Sequence, residues 1–198
     1  MTEVLWRGPF GDSYTERNLD AGKDRGPFWE AMLKSLSPHG SILEVGCNVG
    51  ANLQHFPDTS YTYGVDINAE AIRFARERFP LMHLSEASVS LRLPFHDAMF
   101  GLVVTCGVLI HIAPDDLHRA IREVFRVSRK AVLIMEYQAD KETAIPYRGQ
   151  DAALWKRNWF YEMQEARLEQ QWQMTWRCPL GLDQGFDDVT AYLWERKG

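Results

Sequence analysis

Two short apolar runs in the first third of the chain each lead to an acidic residue near a turn. The first run, residues 42–45, contains Glu44 and opens into a turn with Gly46 and Gly50, and the second run ends at Asp66. Glycines let the backbone approach a ligand closely, and a carboxylate at the end of the next strand can accept hydrogen bonds from both hydroxyls of a ribose. This pairing predicts a nucleoside-binding site where two neighbouring strands end.

The turn differs from the one that binds dinucleotides. A dinucleotide site has the pattern G-x-G-x-x-G, which places a helix N-terminus against the pyrophosphate, whereas this turn has Gly46-x-x-x-Gly50. Glu44 would repel a phosphate and suits a ligand with an ammonium group. We therefore expect S-adenosylmethionine (SAM) as cofactor and S-adenosylhomocysteine as its product. An ordinary tight turn is the alternative, which Asp66 on the next strand disfavours.

Further candidate ligands follow the later strands, because ligands bind at the carboxyl ends of strands in α/β sheets. The loop after the third strand is expected to form the adenine pocket. The predicted cofactor-binding residues are Glu44, Gly46, Cys47, Asn48, Gly50, Asp66, Ile67, Ala87, Ser88, Val89 and Cys106. No group of cysteines and histidines has metal-ligand spacing, so no metal is expected.

His111 follows the fourth predicted strand, beside the expected position of the transferred methyl group. An imidazole has an ordinary pKa of about 6.5 and can act as a general base. A hydrogen-bonded structural histidine among apolar neighbours is an equally weighted alternative. Because alignment of nucleophile and sulfonium can drive most of a methyl transfer, the reaction could also proceed without a base.

Aromatic and basic residues are expected to meet the acceptor. Arg148 lies in a loop after the fifth predicted strand, where its guanidinium could hold a carboxylate or phosphate; the alternative is a solvated loop arginine. The aromatic N-terminal segment, residues 1–25, could fold over the site as a lid or pack on the domain edge. The predicted acceptor-binding residues are Tyr14, His111, Tyr137, Tyr147 and Arg148, of which His111 and Tyr14 are the catalytic candidates.

The elements that must position these residues alternate between strand and helix, which is typical of a parallel sheet. Strands are predicted at residues 41–45, 61–67, 82–84, 102–106 and 131–137, and helices at 27–34, 51–56, 68–79 and 115–127. The N-terminal segment has turn signals at Gly8-Pro9 and Gly11-Asp12, and Pro38-His39-Gly40 should end the first helix. After residue 137 we predict a long connection over 138–152, a helix over 153–165, and closing strands at 168–178 and 189–195.

Length and composition narrow the class of protein. The chain has 198 residues, which predicts one domain, and a net charge of -5 without a basic run, which argues against a nucleic-acid partner. Three cysteines form no disulfide framework and fit a reducing compartment. The polar N-terminus does not resemble a signal peptide, and the longest apolar stretch is too short to cross a membrane. We expect a cytoplasmic protein with a small-molecule acceptor and no membrane partner; the oligomeric state is not predicted.

Several segments resemble class I SAM-dependent methyltransferases and, more narrowly, the pseudaminic acid biosynthesis-associated methylase family. They are Phe10-Gly11-Asp12-Ser13-Tyr14-Thr15-Glu16-Arg17-Asn18, residues 44–50, residues 107–112, Ile145-Pro146-Tyr147-Arg148-Gly149, residues 154–157 and residues 187–190. The resemblance implies a Rossmann-like α/β fold. Its seven-stranded, mostly parallel sheet would have an antiparallel last strand and helices on both faces. The expected organisation is one domain over residues 1–198, with 138–165 as an insertion on the substrate side.

The same resemblance implies biosynthetic methyl transfer from SAM to a small polar acceptor that we expect to be anionic, at oxygen in preference to nitrogen. The narrower family implies a pseudaminic-acid-type sugar, and the alternative is tailoring of a natural product or small acid. Two other classes stay open. One is a SAM-binding module without catalysis; the other is a nucleotide-dependent oxidoreductase, which Glu44 and the absence of G-x-G-x-x-G from this turn disfavour.

Overall fold

A seven-stranded mixed sheet lies at the centre of the computed structural model, which describes residues 2–36, 40–57 and 61–198. The strands are β1 (Ile42–Val45), β2 (Thr62–Asp66), β3 (His83–Glu86), β4 (Phe100–Cys106), β5 (Ser128–Glu136), β6 (Thr143–Tyr147), β7 (Gln150–Lys156), β8 (Trp172–Leu180) and β9 (Val189–Arg196). The sheet order is β3-β2-β1-β4-β5-β9-β8, and β6 pairs with β7 separately. β1 to β5 are parallel, whereas β9 is antiparallel to both of its neighbours. The predicted seven-stranded sheet with an antiparallel last strand is confirmed.

Helices cover both faces of this sheet, as predicted. They are α1 (Thr2–Arg7), α2 (Pro9–Arg17), α3 (Gly26–Leu36), α4 (Ala69–Arg78), α5 (Pro114–Val127) and α6 (Trp159–Glu165). Successive residues of a strand point to opposite faces. One face therefore packs Leu133 of β5 against α3 and α4, and the other packs Val132 against α5 and α6. Both residues are fully buried, which explains why β5 reads as a continuous apolar run.

The strand order reverses between β1 and β4. The chain runs from β1 outward through β2 to β3 and then returns to place β4 on the other side of β1. At such a reversal the loops after the two central strands diverge and leave a crevice at their carboxyl ends. The turn after β1 and the loop after β4 therefore border the same crevice.

Two predictions in the first 60 residues are wrong. Residues 51–56 do not form an α-helix; they contain one 3₁₀ turn, Leu53–His55. Gly11-Asp12 is not a turn, since both residues lie inside α2, whereas Gly8-Pro9 does separate α1 from α2. The predicted break of α3 at Pro38-His39-Gly40 falls mainly on positions 37–39, outside the described residues.

Residues 138–156 also differ from the prediction of a connection followed by a helix. β6 and β7 form an antiparallel hairpin whose two-residue turn is Arg148-Gly149, with φ angles of 51° and 78°. Positive φ at both central residues is the geometry of a type I′ turn, which matches the twist of the strands. The following helix, α6, begins only at Trp159, where the Asn158 side chain accepts a hydrogen bond from Tyr161 N.

The remaining elements agree with the prediction to within a few residues. The closing strands, for example, are β8 at Trp172–Leu180 and β9 at Val189–Arg196. Within the described ranges, every helix is too short or too polar to cross a membrane.

Candidate functional site

A pocket opens at the carboxyl ends of the parallel strands, where the order reverses. Its floor is formed by the turn after β1 and the loops after β2, β3 and β4, while α1 and α2 close it from the other side. The predicted site residues on its lining are Tyr14, Glu44, Gly46, Cys47, Asn48, Asp66, Ile67, Ala87, Ser88, Val89, Cys106, His111, Tyr137 and Tyr147. Gly50 and Arg148 are the predicted residues that do not line it.

Both glycines of the turn after β1 have backbone conformations that suit glycine, for different reasons. Gly46 has φ +73°, and a Cβ there would lie 2.2 Å from Cγ2 of Val108 in the loop after β4. Gly50 has φ +86°, and a Cβ would lie 2.3 Å from the Phe79 ring. Gly46 therefore lets the two pocket loops touch, whereas Gly50 lets the turn pack on the end of α4.

Replacing Gly46 with alanine should lower the free energy of unfolding by about 3 kcal/mol, from strained backbone plus the clash with Val108. Urea unfolding would measure the loss. Gly149→Ala is the matched control, because Gly149 also has positive φ but has nothing within 4 Å of its added Cβ. Equal losses in the two variants would mean that the contact with Val108 does not matter.

Asp66 ties the turn after β1 to the end of β2. Its Oδ2 accepts a hydrogen bond from Asn48 N at 2.9 Å, and its Oδ1 accepts one from Asn68 N at 2.9 Å. Asn68 caps α4, because its side chain accepts a hydrogen bond from Ala71 N at 2.8 Å. A carboxylate has about four lone-pair sites, so both Asp66 oxygens keep capacity for a ligand.

Glu44 is a buried carboxyl with one unused oxygen. The residue is 1% exposed, Oε1 accepts from Asn52 Nδ2 at 2.6 Å, and Oε2 has no hydrogen-bond partner. Burial raises the pKa of Glu44 to about 8. A buried acceptor without a partner is costly in a folded protein, and here it borders a pocket. A cationic donor in that pocket would satisfy it.

Arg25 and Asn52 belong to the same network, although the sequence analysis did not select them. Asn52 Oδ1 accepts from Arg25 Nη1 at 2.8 Å and from Trp29 Nε1 at 3.2 Å, while Arg25 Nε donates to Gly185 O at 2.9 Å. Among the described pocket-lining residues, Arg25 alone is a lysine or arginine. Neither residue stands in a motif or at a strand end, so no spacing signal could have found them.

His111 has a defined tautomer. Its Nδ1 lies 2.7 Å from Ala153 O, and because a carbonyl only accepts, Nδ1 carries the proton. The lone pair is therefore on Nε2. Burial, with a contribution from the Arg157 guanidinium, lowers the pKa of His111 to about 4, so the ring is neutral at pH 7.

The tyrosines of the pocket are donors at neutral pH. Burial raises the pKa of Tyr14 well above its ordinary value of 10. Burial also raises the pKa of Tyr137 to about 12, with a further contribution from Asp187. Of the two catalytic candidates, His111 can accept a proton from a substrate, whereas the neutral Tyr14 hydroxyl can donate or accept a hydrogen bond but does not act as a base.

An aromatic cluster joins the N-terminal helices to the hairpin above the pocket. The Trp6 ring centroid lies 4.4 Å from that of His111, 5.2 Å from Tyr14 and 6.4 Å from Tyr147. Phe10 contacts Tyr147 at 6.3 Å. We call these five side chains the aromatic roof.

Polar contacts anchor α1 and α2, which carry three side chains of the aromatic roof, to the ends of β2 and β3 and the loops that follow them. Asn68 Nδ2 donates to Trp6 O at 3.1 Å and to Asp12 Oδ1 at 2.8 Å. Ser88 donates to the Glu3 carboxylate, and Arg7 pairs with Glu86. The N-terminal segment thus lies over the pocket; its opening and closing as a lid stays a prediction.

Arg148 occupies the tip of the β6–β7 hairpin. The residue is exposed, its φ is 51°, and its guanidinium carbon lies 5.7 Å from the centroid of the Tyr147 ring. Arg148 therefore lies beside Tyr147 at the rim of the pocket and does not line it. In the described part of the chain, no group of three His, Cys, Asp or Glu side chains could hold a metal ion.

Comparison with known proteins finds one family model that matches part of the chain. Residues 42–131 match the family model described as "Methyltransferase domain". No curated protein matches the chain significantly.

Solved structures share the whole fold at low sequence identity. A 1,6-didemethyltoxoflavin-N1-methyltransferase from Burkholderia thailandensis, crystallised with 1,6-didemethyltoxoflavin and S-adenosylhomocysteine, is 14% identical with a TM-score of 0.75, covering 98% of this chain and 88% of its own. Magnesium protoporphyrin IX methyltransferase from Synechocystis PCC 6803, with S-adenosylhomocysteine bound, is 10% identical with a TM-score of 0.71 and 98% coverage of both chains. A SAM-dependent methyltransferase from Methanosarcina mazei is 18% identical with a TM-score of 0.67, covering 84% of this chain and 96% of its own. At these identities the likeness establishes the fold.

Proposed function

We infer that this chain is an enzyme, a SAM-dependent methyltransferase, because residues 42–131 match a methyltransferase domain and the whole chain has the fold of such enzymes. We further propose that it methylates a small polar acceptor bound beneath the aromatic roof. The observation that carries this proposal is one pocket lined by two kinds of chemical group. Glu44 and Asp66 supply carboxyl groups, and His111 supplies a neutral imidazole.

The residues around Glu44 and Asp66 fit SAM. The unpartnered Oε2 of Glu44 suits the ammonium of the cofactor's amino-acid group, and Arg25, linked to Glu44 through Asn52, suits its carboxylate. Asp66 would accept the ribose hydroxyls, with Asn48 beside it. Ala87, Ser88 and Val89 would border the adenine, and Gly46, Cys47, Ile67 and Cys106 would complete the contact surface.

The reaction needs little from the protein beyond alignment, water exclusion and the removal of one proton. SAM supplies a methyl group on a positively charged sulfur, which makes that carbon electrophilic. His111 Nε2 would accept the proton of the acceptor's hydroxyl or amine while a lone pair of that oxygen or nitrogen attacks the methyl carbon. Tyr14, Tyr137 and Tyr147 would orient the acceptor by hydrogen bonds and ring contacts, and the aromatic roof would keep water out.

We propose oxygen in preference to nitrogen as the methylated atom, and a pseudaminic-acid-type sugar as one acceptor, with methylation serving a biosynthetic pathway. The alternative is tailoring of another small acid or natural product. A second class, a SAM-binding module without catalysis, predicts cofactor binding without turnover. The net charge of -5 favours a small molecule over a nucleic acid, and the reducing-compartment composition favours the cytoplasm.

Methyl transfer from radiolabelled SAM to a panel of small acids would test the proposal. The panel would hold free and nucleotide-activated nine-carbon sugar acids, amino acids and phosphonates. Label on a sugar acid would support the sugar proposal, and label on another acid alone would replace it with the tailoring alternative. SAM binding without any labelled product would favour the non-catalytic module.

Replacing Arg148 with alanine should raise the KM for an anionic acceptor about 10-fold, because the variant loses a charge-assisted hydrogen bond that solvent partly screens at this exposed tip. The SAM affinity should stay unchanged. Steady-state kinetics with both substrates varied would measure the two effects. Arg92→Ala, which removes an exposed arginine elsewhere, is the control. A parallel loss of SAM affinity would indicate a structural role for Arg148 instead.

Binding of SAM at pH 7 should release about one proton, because the buried Glu44 carboxyl is mostly protonated when free and must ionise to meet the cofactor's ammonium. Calorimetric titration in buffers of different ionisation enthalpy would count the protons. Glu44→Gln should bind SAM more weakly and without buffer dependence. A wild-type enthalpy that is independent of the buffer would contradict this assignment.

The raised pKa of Glu44 also affects the free energy of unfolding of the unliganded protein. The pKa of Glu44 rises from an ordinary 4.5 to about 8 on folding, so the unfolded chain loses this proton first. The free energy of unfolding should therefore fall as pH rises from about 4.5 towards 8. SAM, by pairing with the ionised form, should reduce that fall.

A further inference from the structure

We propose that Glu136 and Arg157 are positioning residues that hold His111 with its Nε2 lone pair directed at the acceptor. This inference rests on the proposed function of the same pocket. It concerns the short loop Val108–Ile112, which follows β4 and which we call the histidine loop. Neither Glu136 nor Arg157 lines the pocket, so both would act through His111.

Glu136 binds the histidine loop by its N–H groups. The residue is fully buried at the end of β5, next to β4. Its Oε1 accepts from Val108 N at 3.1 Å and Leu109 N at 3.0 Å, and its Oε2 accepts from Ile110 N at 3.3 Å. Three successive N–H groups converging on one carboxyl fix the first half of the loop.

Arg157 binds the same loop by its carbonyl groups. Its Nη1 donates to Leu109 O at 2.9 Å and its Nη2 donates to Ile112 O at 2.8 Å, on either side of His111 in the chain. The guanidinium is fully buried, and its Nε donates to Glu142 Oε2 at 2.9 Å. The planar fork of an arginine suits two carbonyl groups at fixed separation better than an ammonium does.

The imidazole itself is held by the strand that leads into Arg157. Ala153 O, in β7, accepts the Nδ1 proton of His111. One short segment of chain therefore fixes both the backbone around His111 and the tautomer of its ring. A small movement of the histidine loop would break the bond to Ala153 and allow the other tautomer, in which Nε2 carries the proton and cannot accept one.

The burial of these ionisable groups, which raises the pKa of Glu136 to about 7, requires a reason beyond folding. Replacement of buried ionic groups by apolar ones is often neutral or stabilising in proteins, and the surrounding core is apolar. The bonds of Glu136 to the loop, and two of the three from Arg157, all converge on the backbone that carries His111. Such bonds give that backbone a single geometry, which a general base needs.

The titratable groups packed near His111 come from four elements. Tyr14 lies on α2, Tyr147 on β6, Glu136 at the end of β5, and Arg157 just after β7. Burial raises the pKa of Tyr14, so its hydroxyl is neutral near pH 7. The positive Arg157 together with burial disfavours a protonated imidazole. If the histidine loop becomes loose and hydrated, the pKa of His111 should return towards its ordinary value of about 6.5.

Nitrogen NMR of ¹⁵N-histidine-labelled protein gives a readout that does not depend on turnover. The chain has six histidines, and His111→Gln assigns the resonances of His111. In the wild type we expect the Nδ1–H tautomer and no titration above pH 5. In Arg157→Lys and in Glu136→Gln we expect Nε2–H tautomer to appear and the titration midpoint to move up by about one unit or more.

The pH dependence of kcat in these variants should change in the same direction as the NMR titration of His111. The acid limb of the pH profile of kcat should move upward with the NMR midpoint, and kcat at pH 7 should fall about 10-fold or more, within the range that general-base catalysis contributes. The SAM affinity should stay within about twofold of wild type, since neither residue lines the pocket. Glu142→Gln weakens only the ion pair between Arg157 and the half-exposed Glu142, and is the milder variant if the others fold poorly. It should shift the titration midpoint of His111 in the same direction.

Variants that lose thermal stability but keep the wild-type tautomer and titration of His111 would overturn the inference and leave a structural role. So would a wild-type protein whose His111 carries its proton on Nε2. Failure of the proposed function has a different signature: wild-type protein that neither binds SAM nor methylates any acceptor, whatever the NMR of His111 shows.

Discussion

An Asp66→Ala variant should bind SAM about 100-fold more weakly than wild type while its sheet stays folded. Two charge-assisted hydrogen bonds to ribose hydroxyls are worth roughly 1.5–3 kcal/mol each, and each 1.4 kcal/mol is a tenfold change. The variant also removes the acceptor for Asn48 N, which loosens the turn after β1. Isothermal titration calorimetry would measure the affinity, and circular dichroism would verify the fold.

The fold should survive because α4 keeps its own cap. Asn68 still accepts from Ala71 N and still donates to Asp12 in the Asp66 variant. Asp20→Ala, which removes an exposed aspartate elsewhere, is the matched control and should bind SAM normally. Unchanged SAM affinity in Asp66→Ala would remove Asp66 from the cofactor site and leave it as a residue that braces the turn.

A His111→Gln variant should lose about 100-fold in kcat, within the range usual for removal of a general base. Its SAM affinity should stay unchanged, because His111 is proposed to contact the acceptor and not the cofactor. The wild-type rate should fall as the pH approaches the His111 pKa of about 4, since the neutral ring is the proposed active form. Rapid-quench measurement of the methylated product would isolate the chemical step.

His96→Gln replaces an exposed histidine outside the pocket and is the control for this variant. A kcat that survives in His111→Gln would mean that alignment with the methyl group suffices and that the acceptor loses its proton to water. His111 would then be a hydrogen-bonded wall of the pocket. The kcat of His111→Gln therefore decides whether His111 is a general base or a structural histidine.

Local sequence patterns predicted the sheet because its central strands β1, β4 and β5 are largely buried and contain apolar runs. Val132 and Leu133 on β5 face opposite layers, and both are fully buried. The same logic predicted which strand ends meet. Glu44 and Asp66 stand at the carboxyl ends of adjacent parallel strands, so the fold brings them to one pocket. Their ligand contacts stay predictions.

The missed elements depend on contacts that a local pattern does not contain. α1 and α2 are too short to be stable alone; α2 packs so closely that a Cβ on Gly11 would lie 1.9 Å from Trp6 O. The β6–β7 turn is Arg-Gly, whereas Asn-Gly and Asp-Gly are the usual signals for its geometry. Pro146, which lies inside β6, also favoured a loop assignment.

Three charged or ionisable residues of the site, Glu136, Arg157 and Arg25, were missed for a related reason. Glu136 ends an apolar strand and Arg157 follows another, and the sequence gives no sign that both bind the backbone of residues 108–112. Arg25 reaches the pocket from the segment between α2 and α3 through Asn52. These hydrogen bonds join residues that are 26 or more positions apart along the chain. Only tertiary structure reveals such partners.

The hairpin of β6 and β7 stands outside the seven-stranded sheet and would give the proposed enzyme a modular acceptor side. Thr143, Ala144 and Pro146 of β6 are exposed, while Tyr147 points into the pocket region. Exchanging residues 143–150 for a hairpin of other length or composition would reshape the acceptor cavity without rebuilding the strands that carry the cofactor residues. Ala153 and Arg157 lie beyond that exchangeable stretch, so a protein engineer could retarget the chemistry and still keep the base in place.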